Sequence, residues 1–403
     1  MVSGQEKIAQ INSKPGSEFT FLGFRRSSGG PGARNHLAVI SVMDNTNPLV
    51  QRIASLRRDA VAVNTTFGRN LMADDEAQHF RVMGHLAGHP NVGAAIIVGL
   101  EPASAGKLAE AASKASPWMP IEIVTIQESG GTHKTADRAL ETAGRLAGHL
   151  ARARREECSM GEITLGTKCG GSDSTSGLVS NPVSGMVADR LAARGGTVIF
   201  SETIEIVGAE HLLARRAAEA KTRRRILGSV RHVIAYAESV GVDLIDCNPT
   251  ADNIEGGLSS IEEKSLGGIK KSGNGPIVEA IGVGERPTKR GIVFADAPCG
   301  GVESLTSLSA SGSQAILFST GIGNPAGHPI SPTIKVTGNP RTAAHMAENI
   351  DLDLSAVLEG GMTYEEAADL LEAELVAVLS GKPTSAELLG ETEITVSRTG
   401  LNL

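Results

Sequence analysis

A lysine, a thiol, a carboxylate and a row of small hydroxylic residues fall together in Lys168-Cys-Gly-Gly-Ser-Asp-Ser-Thr-Ser-Gly177. An apolar run at 163–167 precedes this stretch, and Ser180-Asn181-Pro182 and a helical pattern follow it. A loop between strand and helix can turn successive N–H groups toward an anion, and the helix start adds positive dipole character. Pro182 suits a first helical position, where a missing N–H costs nothing. The plain alternative is an exposed turn.

Three other clusters carry chemistry. Ser201-Glu-Thr-Ile-Glu-Ile-Val-Gly-Ala-Glu-His211 places Glu202 at a strand end, as a candidate metal ligand or general base, with His211 nearby. Carboxylate with imidazole suits Fe²⁺, Mn²⁺ or Zn²⁺. Glu205 and Glu210 are read as favouring a helix N-terminus rather than as ligands. In Asn248-Pro249 through Gly256-Gly257-Leu258 to Glu262-Glu263-Lys264, a desolvated Lys264 could act as a base or hold a carboxylate. An exposed charged helix face explains that run equally well. Finally, Gly23-Phe-Arg-Arg26 and Gly32-Ala-Arg-Asn35 set arginines among glycines ahead of the first long strand, where a guanidinium fork can grip a carboxylate. His85 and His89 read as structural, and Lys221 to Arg225 as a solvated face.

Short β-rich runs at 36–43, 60–64, 92–100, 121–127, 163–167, 197–201, 291–296, 315–319 and 333–336 alternate with amphipathic stretches. The helical patterns lie at 48–58, 104–115, 132–155, 182–194 and 363–379, with a long one over 208–241 that a break near Gly228 would divide. Apolar strands alternating with helices predict an α/β fold: two parallel-sheet, Rossmann-like domains with helices on both faces. The charged 152–157 stretch suggests a boundary near 155, giving a polar leader over 1–17 and domains at 18–155 and 156–403. Polar, glycine-rich endings recur after Met43, Leu100, Ile126, Thr167, Phe200 and Phe318. Open sheets bind ligands at that carboxyl edge, which predicts an enzyme.

Composition narrows the class. The chain has 403 residues, 48 of them glycine, and a formal net charge of −7, which disfavours nucleic acid as main partner. Four widely spaced cysteines form no CxxC pair, and no apolar leader or membrane span is legible, so a cytoplasmic location is expected. Neither a phosphate-binding G-x-x-x-x-G-K-[ST] nor a well-placed G-x-G-x-x-G occurs, leaving nucleotide binding unsupported.

Taken in order, these motifs resemble the altronate and galactarate dehydratase family. The series is completed by Gln127-Glu-Ser-Gly-Gly-Thr132, Ile261-Glu-Glu-Lys-Ser-Leu-Gly267, Phe318-Ser-Thr-Gly321 and Pro332-Thr-Ile-Lys-Val336. The resemblance implies a hydro-lyase, usually iron- or manganese-dependent, that turns a sugar acid such as altronate or galactarate into a 2-keto-3-deoxy acid. The family also includes the large subunit of a sulfo-lyase releasing sulfite from sulfolactate. A non-catalytic sugar-acid-binding subunit is the third reading. A domain that members often carry ahead of Gly-Phe-Arg-Arg implies a small partner chain here, in a homo- or hetero-oligomer. The family's Gly-Cys-Glu is Gly99-Leu100-Glu101 in this chain, and Pro298-Cys299-Gly300-Gly301 also departs from the pattern.

On this resemblance Cys169, Glu202 and His211 are expected to hold the metal. Arg34, Asn35, Gly170, Gly171, Ser172, Asp173 and Asn248 are expected to bind substrate. Lys264 is the expected base, with Glu263 competing and Glu202 participating.

Overall fold

The computed structural model describes residues 19–400; the leader expected over 1–17 lies outside them. A short strand β1 (Thr20–Phe24) precedes four parallel strands, β2 (His36–Ser41), β3 (Ala60–Val63), β4 (Val92–Gly99) and β5 (Ile121–Thr125). They lie in the order β3-β2-β4-β5. Alternate residues of β2 feed opposite cores. Leu37 and Val39 pack with the helices Asn47–Ser55 and Thr132–Leu150, whereas Ala38 and Ile40 pack with Ala73–Ala87 and Pro102–Ala115. Both faces are therefore covered, as parallel strands require.

Strand β6 (Arg155–Ser159) returns to pair antiparallel with β1. The second sheet is built from β7 (Thr164–Cys169), β8 (Thr197–Ser201), β9 (Ile277–Ile281), β10 (Gly291–Ala295), β11 (Ala315–Ser319), β12 (Thr333–Thr337) and β13 (Leu352–Asp353). All pairs are parallel, in the order β13-β12-β11-β7-β8-β10-β9. The expectation of an α/β fold with parallel sheets holds.

One face of this sheet packs Leu165, Val198, Leu317 and Ile334 against the helices Asn181–Ala193 and Tyr364–Leu379. Elsewhere Phe200 and Phe294 pack with Ala220–Ser239, and Ile316 and Phe318 with Gly301–Ala310. Each large apolar side chain so buried contributes about 1.5–3 kcal/mol. The long pattern over 208–241 divides into Glu210–Arg216 and Ala220–Ser239, earlier than the expected Gly228. Thr363 caps Tyr364–Leu379, with Glu366 closing a capping box.

Each sheet reverses its winding direction once. From β7 the chain builds outward through β8, then crosses to β11 on the other side, so the crevice opens between β7 and β11. In the smaller sheet β3 lies on one side of β2, and β4 and β5 on the other. Ligands of open α/β sheets sit outside the carboxyl ends of the strands at such reversals.

Candidate active site at the carboxyl edge of the larger sheet

The residues after β7 and β8 meet beside this reversal, at the carboxyl edge of the sheet. Cys169 ends β7, and Ser319 at the end of β11 is fixed to Ser180 by a 2.6 Å hydroxyl contact. The Cys169 thiol lies 2.9 Å from Ser172 Oγ and accepts from Asn181 Nδ2 at 3.5 Å. Burial pushes the thiol pKa up, which keeps it protonated near neutrality.

The loop is knitted into the sheet edge rather than opened as an anion cradle. The N–H groups of Gly170, Asp173, Ser174 and Ser176 bond to Ser319 O, Ser176 Oγ, Gly256 O and Asp173 Oδ1. Neither Gly170 nor Gly171 lines the adjoining cavity. Asp173 reaches it, but its carboxylate accepts from Thr175, Ser176 and Asn339, which makes it an organiser of the loop. A Cβ on Gly321 would overlap that carboxylate, so glycine permits the approach.

Beneath the loop lies a buried quartet the sequence left unassembled. Lys168 Nζ pairs with Glu202, Lys271 Nζ lies 3.0 Å from Glu202 Oε2 and 3.2 Å from Glu205 Oε2, and Cys169 N–H donates to Glu202 at 3.2 Å. Two ammonium groups thus offset two carboxylates in a buried site, where an unpaired charge would be costly. Glu202 sits at φ 87°, in the left-handed region, a strain of about 1–3 kcal/mol for a non-glycine residue.

The two carboxylates differ. Burial and the neighbouring Glu205 push Glu202 up, against the pull of the lysines. Burial also opposes ionisation of Glu205, but Lys271, Lys168 and Lys264 outweigh it and hold its carboxyl below the usual range. Burial would lower Lys271, yet Glu202 and Glu205 raise it.

A cavity of about 290 Å³ opens beside this quartet, lined by Cys169, Ser172, Asn181, Glu205 and Lys264 among others. The helix Ile261–Gly268 supplies Lys264, whose Nζ donates to Asn248 Oδ1 at 2.9 Å and Asn253 Oδ1 at 3.0 Å. Asn253 Nδ2 donates to Ser172 O at 3.0 Å, so one amide ties Lys264 to the Cys169 loop. Asn181 is 1 % exposed and its Oδ1 has no partner, which leaves an acceptor for a ligand.

Several expected site residues lie elsewhere. Arg34 bonds Glu387 through Nε and Nη2 at 2.8 and 2.9 Å, and donates to Ala33 O, Val378 O and Lys382 O. Asn35 accepts from Arg26 and donates to Leu150 O. Arg34 latches the amino-terminal part to the helices near the carboxyl end, Asn35 bonds within the amino-terminal part, and neither lines the cavity. Glu263 is exposed at the cavity rim, where it accepts from Ser259 N–H at 2.7 Å in its own turn.

The expected metal donors also fail to meet. The Glu202 carboxylate is taken by Lys168, Lys271 and Cys169 N–H, while His211 is exposed and does not line the cavity. Among the described residues no three His, Cys, Asp or Glu side chains converge as a metal set. The donor set therefore does not fit the iron or manganese centre expected of Cys169, Glu202 and His211. Among the described residues no helix is long and apolar enough to cross a membrane.

Residues 23–151 match the family model "D-galactarate dehydratase/Altronate hydrolase, second domain", and residues 160–402 match "D-galactarate/Altronate dehydratase, C-terminal". The chain is 38% identical to a (2R)-sulfolactate sulfo-lyase subunit beta of Chromohalobacter salexigens, across 94% of this chain and 97% of that one. It is 30% identical to a galactarate dehydratase (L-threo-forming) of Escherichia coli, across 90% and 73% respectively. With an altronate dehydratase of Bacillus subtilis it shares 27% identity, across 95% and 78%.

Proposed function

The chain belongs to the D-galactarate/altronate dehydratase family, and on that premise we propose that it is a lyase eliminating sulfite from sulfolactate, as the large subunit of a two-subunit enzyme. The observation that carries this choice is the similarity to the sulfo-lyase subunit, which is higher than to either dehydratase and runs along nearly the whole of that relative. The modest cavity agrees, since a three-carbon acid asks for less room than a six-carbon one.

The chemistry follows from the charges. Lys264, whose ammonium already donates to two amide oxygens, holds the substrate carboxylate rather than acting as base. Asn181 Oδ1 accepts the 2-hydroxyl. Glu205, kept ionised by Lys271, takes the C2 proton. The C2–H electron pair becomes the C2=C3 bond, and the C3–S bond breaks with its pair leaving on sulfite. The enol product then gives pyruvate by losing its O–H proton and gaining one at C3.

Sulfolactate carries two anionic groups, and among the described residues Lys264 is the one ammonium lining the cavity. The second anion falls to the small partner subunit. Leu178 and Leu266 on the rim, 57% and 46% exposed, give that partner an apolar seat.

Dehydration of a sugar acid is the second reading, favoured by the two dehydratase relatives. The test is a side-by-side assay of sulfolactate, altronate and galactarate, with and without the small subunit, following sulfite and 2-keto acid. Sulfite and pyruvate in equal amounts from sulfolactate are expected. A 2-keto-3-deoxy acid from a hexonate or aldarate, with no sulfite, would transfer the assignment to dehydration.

A further inference from the structure

The crevice between β7 and β11 holds a cavity of its own, about 610 Å³ in volume. Ser174 and Thr175 follow β7, Ile322 follows β11 and Asn339 follows β12, so it lies at the carboxyl edge where the winding reverses. It shares only Asp173 and Ser174 with the Glu205 cavity.

Two short helices border it. Ala251–Glu255 contributes Asp252 and Glu255, and Pro340–His345 contributes Arg341, Thr342 and His345. Most neutral polar groups of the lining are spent within the fold. Asn339 donates to Asp173 Oδ2 at 2.8 Å and accepts from the N–H groups of Arg341 and Thr342. Thr342 Oγ1 donates to Gly321 O at 2.5 Å, and Thr175 Oγ1 to Asp173 Oδ1 at 2.7 Å.

The charged groups are not spent. The side chains of Arg341 and Glu255 are exposed, and among the described residues neither has a hydrogen-bond or ion-pair partner. Asp252 accepts from Thr250 through one oxygen only. Opposite charges therefore line one cavity without neutralising each other. An exposed pair would add only about 0–1 kcal/mol, so leaving them apart costs the fold little and keeps both open to a ligand.

The signs of the lining select what fits. A simple anion would face Asp252 and Glu255, and a metal ion would face Arg341; among the described residues no metal set forms. A molecule carrying both charges satisfies both walls. Ile322, 37% exposed, and Met346, seated where a Cβ on Gly323 would meet its sulfur, add apolar surface.

We propose that this crevice binds a zwitterionic α-amino acid with an apolar side chain. The Arg341 guanidinium takes its carboxylate, Glu255 and Asp252 take its ammonium, and Ile322 with Met346 takes the side chain. The inference does not depend on the lyase reading of the neighbouring cavity.

The test is calorimetric titration of the full chain with L-leucine, and with 4-methylpentanoate, which keeps the carboxylate and lacks the ammonium. Saturable binding of leucine is expected, weakened roughly tenfold, or about 1.4 kcal/mol, by Arg341→Ala and separately by Glu255→Gln, and unchanged by Lys264→Ala. The desamino acid should bind more weakly than leucine to the wild type. Arg341 and Glu255 are exposed, so thermal unfolding of both variants should stay at the wild-type temperature and serve as the control. The proposal is overturned if leucine does not bind at millimolar concentration, or if 4-methylpentanoate binds as well as leucine. Loss of binding in Lys264→Ala, with Arg341→Ala and Glu255→Gln intact, would overturn it too.

Discussion

The two sheets present the same kind of opening, a crevice at the carboxyl ends of parallel strands, yet they furnish it differently. Behind the crevice of the larger sheet are two lysines and two glutamates, all buried and mutually paired. Around the other, charged side chains are exposed or already engaged, and the buried polar group is a neutral imidazole. What is buried beneath differs: two carboxylates paired with two ammonium groups behind one crevice, and at the other a single imidazole whose basicity burial lowers.

The contrast is most easily broken at the quartet. Lys271→Met should leave Glu202 and Glu205 short of a counter-charge and cost about 3–5 kcal/mol, read as a lower denaturant midpoint. A variant with wild-type stability would mean that the buried charges are not mutually dependent.

Next in size, Arg34→Ala should cost about 1.5–3 kcal/mol through the latch to Glu387, with turnover per folded molecule retained. Burial opposes ionisation of Glu387, but Arg34 outweighs it and its pKa is lowered on folding. The latch therefore stabilises fully above the ordinary glutamate value and is lost as pH falls through the lower folded one. Unfolding midpoints of Arg34→Ala and wild type should converge at acid pH; a constant gap would exclude this latch.

Smallest of the three, Lys264→Ala should raise KM for sulfolactate about tenfold, with a lesser change in kcat. Loss confined to kcat would instead return Lys264 to the role of base.

How far the chain could be read without coordinates depended on local signal. The nine apolar runs became strands because buried parallel strands are continuously hydrophobic. Strands β1, β6, β9 and β13 were missed: charged Arg155-Glu-Glu157, an Ile277–Ile281 strand set in a Gly-, Ser- and Lys-rich stretch, and a two-residue edge strand carry no such pattern. So was the helix Ala73–Ala87, whose acidic first turn resembles a loop.

At the site, Cys169, Glu202 and Lys264 fall in one neighbourhood because their motifs follow strand ends or cap helices locally. Arg34 and Asn35 were placed there on chemistry alone, which cannot tell a carboxylate of the substrate from Glu387, 353 residues further on. Lys271 and the role of Glu205 were illegible for the converse reason. A lysine beyond a helix and a glutamate near a helix start look solvated until β7 and β8 bring their partners together. Lys168, preceding Cys169, was the one available signal, a charge at the end of an apolar strand.

Central to this account is Glu205 as the group that takes the C2 proton. The direct measurement is sulfite release from sulfolactate by Glu205→Gln in the assembled enzyme, beside wild type. A fall of about 10²–10⁴-fold, with the fold and the KM close to wild type, is predicted. Sulfite released by Glu205→Gln at a near wild-type rate would contradict it.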